Sequence, residues 1–139
     1  RNEVTIHSLF SDTYWEMPTD VGLYHGGNNS APPPLAYFVT GVVACLVTQI
    51  RAFSIRLQVP VDGVKVDAGF IGKVSKSAEI LIPVAAKIDL DIDIQSDQSA
   101  TDLIRLVKAA KEGCFAKQSI ELAFPIDRRL KVDGNWVEV

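Results

Sequence analysis

Between residues 87 and 95, Ile88, Leu90, Ile92 and Ile94 alternate with Asp89, Asp91 and Asp93. A period of two with carboxylates on one side predicts a strand with one dry and one wet face. Val64, Val66, Ala68 and Phe70 alternate in the same way, as do Ile120, Leu122 and Phe124. Leu130, Lys131 and Val132 on one side and Trp136 and Val137 on the other flank Asp133-Gly134, a tight-hairpin signal. Residues 3–10 and 14–24 supply further strands.

Two segments follow a helical period instead. Residues 21–50 carry no Asp, Glu, Lys or Arg. Within them, the apolar part at 35–47 is interrupted by Thr40 and Gly41, which is short of the roughly 20 residues of a membrane span. It predicts a soluble core helix over 35–59, led in by Pro32-Pro33-Pro34 and stopped by Pro60. Cys45 lies near its middle, aligned at helical spacing with Phe38, Gly41, Val42 and Gln49. In the second segment Leu103, Leu106, Val107, Ala110 and Cys114 share one face. Arg105, Lys108, Lys111 and Glu112 share the other, and Ser99 or Thr101 can cap the start. Cys114 is expected on the buried side of this helix's last turn. Strands, a long helix, strands, a shorter helix and strands make an α+β fold, and 139 residues suffice for one domain covering 1–139.

Charge narrows the partners. Lys and Arg number 14 against 17 Asp and Glu, a net charge of -3, which offers no footprint for DNA or RNA. Two cysteines fall far below the density of secreted disulfide scaffolds, and no signal peptide opens the chain, so a cytoplasmic setting is expected. Asp89-x-Asp91-x-Asp93 resembles the start of a calcium loop. Its sixth position is Ile94 rather than glycine, however, and its twelfth Ala100 rather than glutamate, so the solvated strand face is the better reading. Gly26-Gly27 lacks the context of a phosphate cradle and reads as a turn. His7 and His25 have no Cys or His at zinc-ligand spacing, so neither a metal nor a bound cofactor is expected. His25 remains a candidate acid or base beside a site.

The remaining chemistry rests on Cys45 and Cys114. A Pro-rich loop leads into Leu35-Ala36-Tyr37-Phe38-Val39-Thr40-Gly41-Val42-Val43-Ala44-Cys45, and after intervening strands a second helix ends in Gly113-Cys114. This layout resembles the OsmC/Ohr family of thiol-dependent hydroperoxide reductases, over most of the chain from before Pro32 to Cys114. The resemblance implies an intertwined homodimer, with antiparallel sheets wrapped around two central helices and active sites at the subunit interface. It also implies Cys45 as the peroxidatic thiolate, Cys114 as the resolving thiol, and a dithiol as reductant. Such chemistry needs the pair, because a sulfenic acid must condense with a nearby thiol before it is overoxidised.

Two departures from the family bear on activity. In active reductases an arginine from the N-terminal strands activates the first cysteine, and a glutamate ten positions before that cysteine orients it. Leu35 stands at that position here, and no Arg or Lys occurs between Asn2 and Ile50. Arg51 would lie about 240° around the helix from Cys45, and Arg56 roughly 16 Å along it. Phe115 follows Cys114 where relatives often carry proline. Two functions are therefore weighed. One is a divergent reductase of hydroperoxides with a Cys45/Cys114 redox pair, its activating charge supplied by His25 or a partner subunit. The other is a non-peroxidase that binds an apolar or thiol-bearing small molecule. Tyr37, Phe38 and Gln49 are candidate lining residues for either.

Overall fold

A computed structural model describes residues 1–8, 11–77, 80–122, 129–132 and 135–138. The first hairpin pairs β1 (Asn2–His7) with β2 (Tyr14–Thr19) in antiparallel register from Asn2↔Thr19 to His7↔Tyr14. The strand expected to reach residue 24 stops at Thr19, because Asp20 gathers the following loop around its carboxylate. Asp20 is 1 % exposed. It accepts hydrogen bonds from the amides of Val21 (2.9 Å), Asn28 (3.3 Å) and Ser30 (2.8 Å) and from the Ser30 hydroxyl (2.7 Å). The Ser30 amide above all, then its hydroxyl and the Val21 amide, hold the Asp20 carboxyl well below the usual range. Gly27 completes this loop, since a Cβ there would lie 2.0 Å from the Val21 carbonyl oxygen.

Helix α1 (Pro34–Arg56) starts with proline in its first turn, where a missing N–H costs nothing. It ends where Gln58 adopts a left-handed φ of 54° and the Val59 amide donates back to the Ser54 carbonyl at 2.9 Å. At 23 residues the helix is long and apolar enough to cross a membrane, so the length argument drawn from 35–47 understated it. One stripe, Val42, Leu46 and Ile50, is buried, whereas Leu35, Phe38 and Ile55 are exposed. Within a single chain the expected burial of 35–59 thus holds for that stripe and for Val59.

β3 (Gly63–Ser77) and β4 (Ile80–Gln95) form a long antiparallel hairpin with a register shift between Lys73 and Val74. Opposed pairs Val66↔Ile92, Ala68↔Leu90 and Phe70↔Ile88 make its apolar face, and Asp67↔Asp91 and Lys65↔Asp93 its polar one. On that polar face Lys65 pairs with Asp67 at 3.1 Å and Lys87 with Asp89, so the aspartate stripe is a charged strand surface.

Helix α2 (Ala100–Glu112) is capped by Ser99, whose Oγ accepts the Asp102 amide at 3.2 Å; Thr101 is already helical. Its buried stripe is Leu106 and Ala110, as the spacing predicts. The strand expected from Ile120, Leu122 and Phe124 is instead helix α3 (Phe115–Glu121), with Leu122 as its C-cap; Phe124 lies outside the described residues. Helix formers and the Lys117–Glu121 ion pair, 2.8 Å and one turn apart, outweigh a period of two that spans only three apolar residues. β5 (Arg129–Val132) pairs with β6 (Asn135–Glu138) as expected, and Asp133 and Gly134, read from the sequence as a tight turn, lie outside the described residues.

Three two-stranded antiparallel sheets and three α-helices thus make up the described α+β fold. Leu46 and Ile50 of α1, Val59, Leu106 and Ala110 of α2, and Cys114 form the core. Burying side chains such as Ile50 or Leu106 contributes roughly 1.5–3 kcal/mol each.

Candidate functional site

The two cysteines meet where α1 passes the corner between α2 and α3. Cys45 is half-buried on α1, and Cys114 is fully buried. Cys114 does not end α2, as its spacing suggested. It follows the C-cap Gly113 and forms the N-cap of α3. That corner can close on α1 because Gly113 has no side chain. A Cβ there would stand 2.7 Å from Phe53 Cε2 and 3.3 Å from Gln49 Oε1. The close approach carries Cys114 onto Cys45.

Both thiols are free, and Cys45 packs against the buried cluster that contains Cys114. Burial pushes the Cys114 thiol above its ordinary range, and the hydrogen bond and charge interaction with Cys45 push it further. The backbone amides of Lys117 and Ala116 oppose this by favouring the thiolate, without meeting the geometry of a helix-capping bond. A cavity of about 340 Å³ adjoins Cys114 between α1, β4 and α2, walled by residues such as Val42, Leu46, Leu90 and Val107. Lys111, Lys117 and Asp89 are its charged members.

The other expected site residues divide. Gln49 lies beside Gly113 at the corner. Phe38 lines a second cavity of about 350 Å³ with Val42, Phe70, Ile88 and Leu90, and Lys117 borders this cavity as well as the first. Tyr37 has a different task, donating from its hydroxyl to the Pro18 carbonyl at 2.9 Å and so tying α1 to β2. His25 sits exposed on the short 3₁₀ turn Leu23–His25, edge-on to Tyr24 with ring centroids 5.0 Å apart. No contact among the described residues links it to Cys45. Arg51 is exposed, and Arg56 stacks on Phe53 at 5.3 Å. Lys117 was not singled out from the sequence, where residues 115–119 carried no predicted element between the second helix and the strand read from Ile120.

Comparison with known proteins now decides the family. Residues 27–128 match the family model described as OsmC-like protein. The chain belongs to the OsmC-like family. An OsmC-like hydroperoxide resistance protein from Jannaschia sp. CCS1 is 33% identical, with 92% of this chain and 81% of that one covered and a TM-score of 0.70. An OsmC-like protein from Mycoplasma pneumoniae shares the fold at 12% identity, with 86% of each chain covered and a TM-score of 0.63. So does a hydroperoxide resistance protein from Vibrio cholerae with captopril bound in one active site, at 16% identity, 99% and 94% coverage and a TM-score of 0.55. No curated protein matches the sequence. For this OsmC-like chain, the departures at Leu35 and in the cation-free stretch before Arg51 coincide with a Cys45 to which no ion pair or hydrogen bond of the described residues brings an arginine or lysine.

Proposed function

We propose that this OsmC-like protein reduces organic hydroperoxides, with Cys45 attacking and Cys114 resolving. The observation that carries the reading is the proximity of the two thiols at the α1–α2–α3 corner, with Cys45 packed against the core cluster that contains Cys114 and near enough to raise its pKa. In the first step the Cys45 thiolate attacks the outer peroxide oxygen, the O–O bond breaks, and an alcohol leaves after taking a proton. Cys45 is left as a sulfenic acid. The Cys114 sulfur then attacks the Cys45 sulfur, the S–O bond breaks, and water departs with the Cys114 proton. An external dithiol restores both thiols by exchange and becomes a disulfide itself.

The half-burial of Cys45 and full burial of Cys114 support this order, because the attacking thiol has to be reached first. The protein acts as a homodimer in this reading. Support comes from the outer face of α1, where Leu35, Val39, Val43 and Val47 face Val66 and Phe70 of β3 across an open apolar groove of about 740 Å³. A second copy of α1 would cover it. The compartment is a reducing, cytoplasmic one, and the substrate and reductant are small molecules.

A second reading, a binder of apolar or thiol-bearing molecules that turns nothing over, is favoured by the absence, among the described residues, of an arginine or lysine paired with Cys45. The thiolate is the nucleophile, and neighbouring positive charge is what stabilises it. Turnover is therefore expected to be slow beside relatives that possess the arginine and glutamate. Steady-state assays with cumene hydroperoxide and a lipoyl dithiol, with Cys45→Ser as blank, separate the readings. Slow turnover abolished by the substitution supports the reductase, and no turnover above the blank supports the binder.

A further inference from the structure

Cys114 must give up its proton before it can attack oxidised Cys45, and its surroundings resist this. Burial favours the neutral thiol. In Cys114–SH plus Cys45–SOH giving a disulfide and water, the Cys114 proton leaves with the hydroxide from Cys45. Among the described residues, the charged groups around this step come from α2 as Lys111 and Glu112, from α3 as Lys117 and Glu121, and from β4 as Asp89, already paired with Lys87; α1 brings Cys45.

We infer that Lys117 is the positioning residue of this half-reaction, its ammonium facing the Cys114 cavity and holding Cys114 as the attacking thiolate. The inference rests on the redox-pair reading above. Lys117 differs from Lys111 in two respects. Its side chain is only 21% exposed, and it stands where the cavities of Cys114 and Phe38 meet, whereas Lys111 is exposed and borders the first alone. Glu121 anchors it at 2.8 Å. Glu121 first, then Glu112 and the Cys114 sulfur, raise the Lys117 pKa, so Lys117 keeps its charge when Cys114 ionises. Among the described residues, Lys117 is thus a partly buried cation on the cavity of the second cysteine. Glu121 sets the strength of the effect, because it shares that cation with the thiolate.

Lys117→Met, Lys117→Arg and Glu121→Gln test the role. Fully reduced protein is mixed with one equivalent of cumene hydroperoxide and quenched at intervals, and sulfenic acid and disulfide are counted by mass. With Lys117→Met, disulfide formation from the sulfenic acid slows up to about tenfold at neutral pH, the change in thiolate for one pKa unit. Its pH profile moves upward. Lys117→Arg restores the rate, and Glu121→Gln accelerates it. A disulfide step with the wild-type rate and pH profile in Lys117→Met overturns the inference. Alkylation of Cys114 by iodoacetamide in a Cys45→Ser background reads the same charge without peroxide. An upward shift of that profile in Lys117→Met upholds the role of Lys117 even where wild type fails to reduce peroxide, and an unmoved profile refutes it.

Discussion

Gly113→Ala probes the geometry that joins the two thiols. The added methyl carbon would begin 2.7 Å from Phe53 Cε2, 3.2 Å from Phe53 Cζ and 3.3 Å from Gln49 Oε1. The Phe53 ring cannot simply swing clear, since it packs on the core and carries Arg56 on its face. Overpacking of this kind costs about 1–3 kcal/mol. Gly113 has φ -85° and ψ 1°, which alanine also adopts, so the loss of chain entropy returns about 0.4–1 kcal/mol. The net is a destabilisation between about 0 and 2.6 kcal/mol, centred on about 1.3 kcal/mol, or roughly 4–5 °C in Tm at that centre for a chain of this size. The same shift moves the α2–α3 corner from α1, so disulfide formation between Cys45 and Cys114 should slow more than the stability change explains. Thermal unfolding gives the first quantity and rapid-quench mass measurement under stoichiometric peroxide the second. A Tm within about 1 °C of wild type together with an unchanged disulfide rate would show that the corner is not held closed at Gly113.

Three further outcomes are expected. Cys114 has its pKa raised by burial, so its contribution to stability is complete below the ordinary thiol pKa of about 8.5 and is lost as pH rises through the higher folded value. Denaturant titrations of wild type should weaken above that pH, and Cys114→Ala should remove the slope. Asp20 is shifted the opposite way, so its contribution is present above about pH 4 and fades as pH falls toward the lower folded value. Asp20→Asn should flatten the acid limb and speed hydrogen exchange at the amides of Val21, Asn28 and Ser30; unchanged exchange at all three would contradict the hub. Leu106→Ala, at a fully buried position, should cost about 2–5 kcal/mol in chemical denaturation.

Long elements were legible because burial writes a period over many residues. The alternation from Ile88 to Ile94 and the stripe through Leu106 and Ala110 each return in the structure as half-buried or buried faces. Short elements were not. Ile120 and Leu122 suit either period, and the Lys117–Glu121 pair one turn apart favours the helix. The loop around Asp20 was equally hidden, since its order comes from one carboxylate reaching eight and ten residues ahead to Asn28 and Ser30. Of the site, the pattern named Cys45 and Cys114 and placed both on apolar faces. Their contact depends on the missing side chain at Gly113 and on the ring of Phe53, a tertiary fit that leaves no local signal. Lys117 escaped for the same reason, being aimed at the cavity only once residues 115–121 coil. Tyr37 shows the converse, an aromatic residue that suits a pocket wall by type yet spends its hydroxyl on the Pro18 carbonyl.

The redox pair is tested most directly by treating reduced protein with one equivalent of cumene hydroperoxide, then alkylating and mapping peptides without reductant. The account predicts one equivalent of cumyl alcohol, loss of both alkylatable thiols and a cross-linked peptide pair containing Cys45 and Cys114. Recovery of both cysteines alkylated separately, with the peroxide unconsumed, would contradict it.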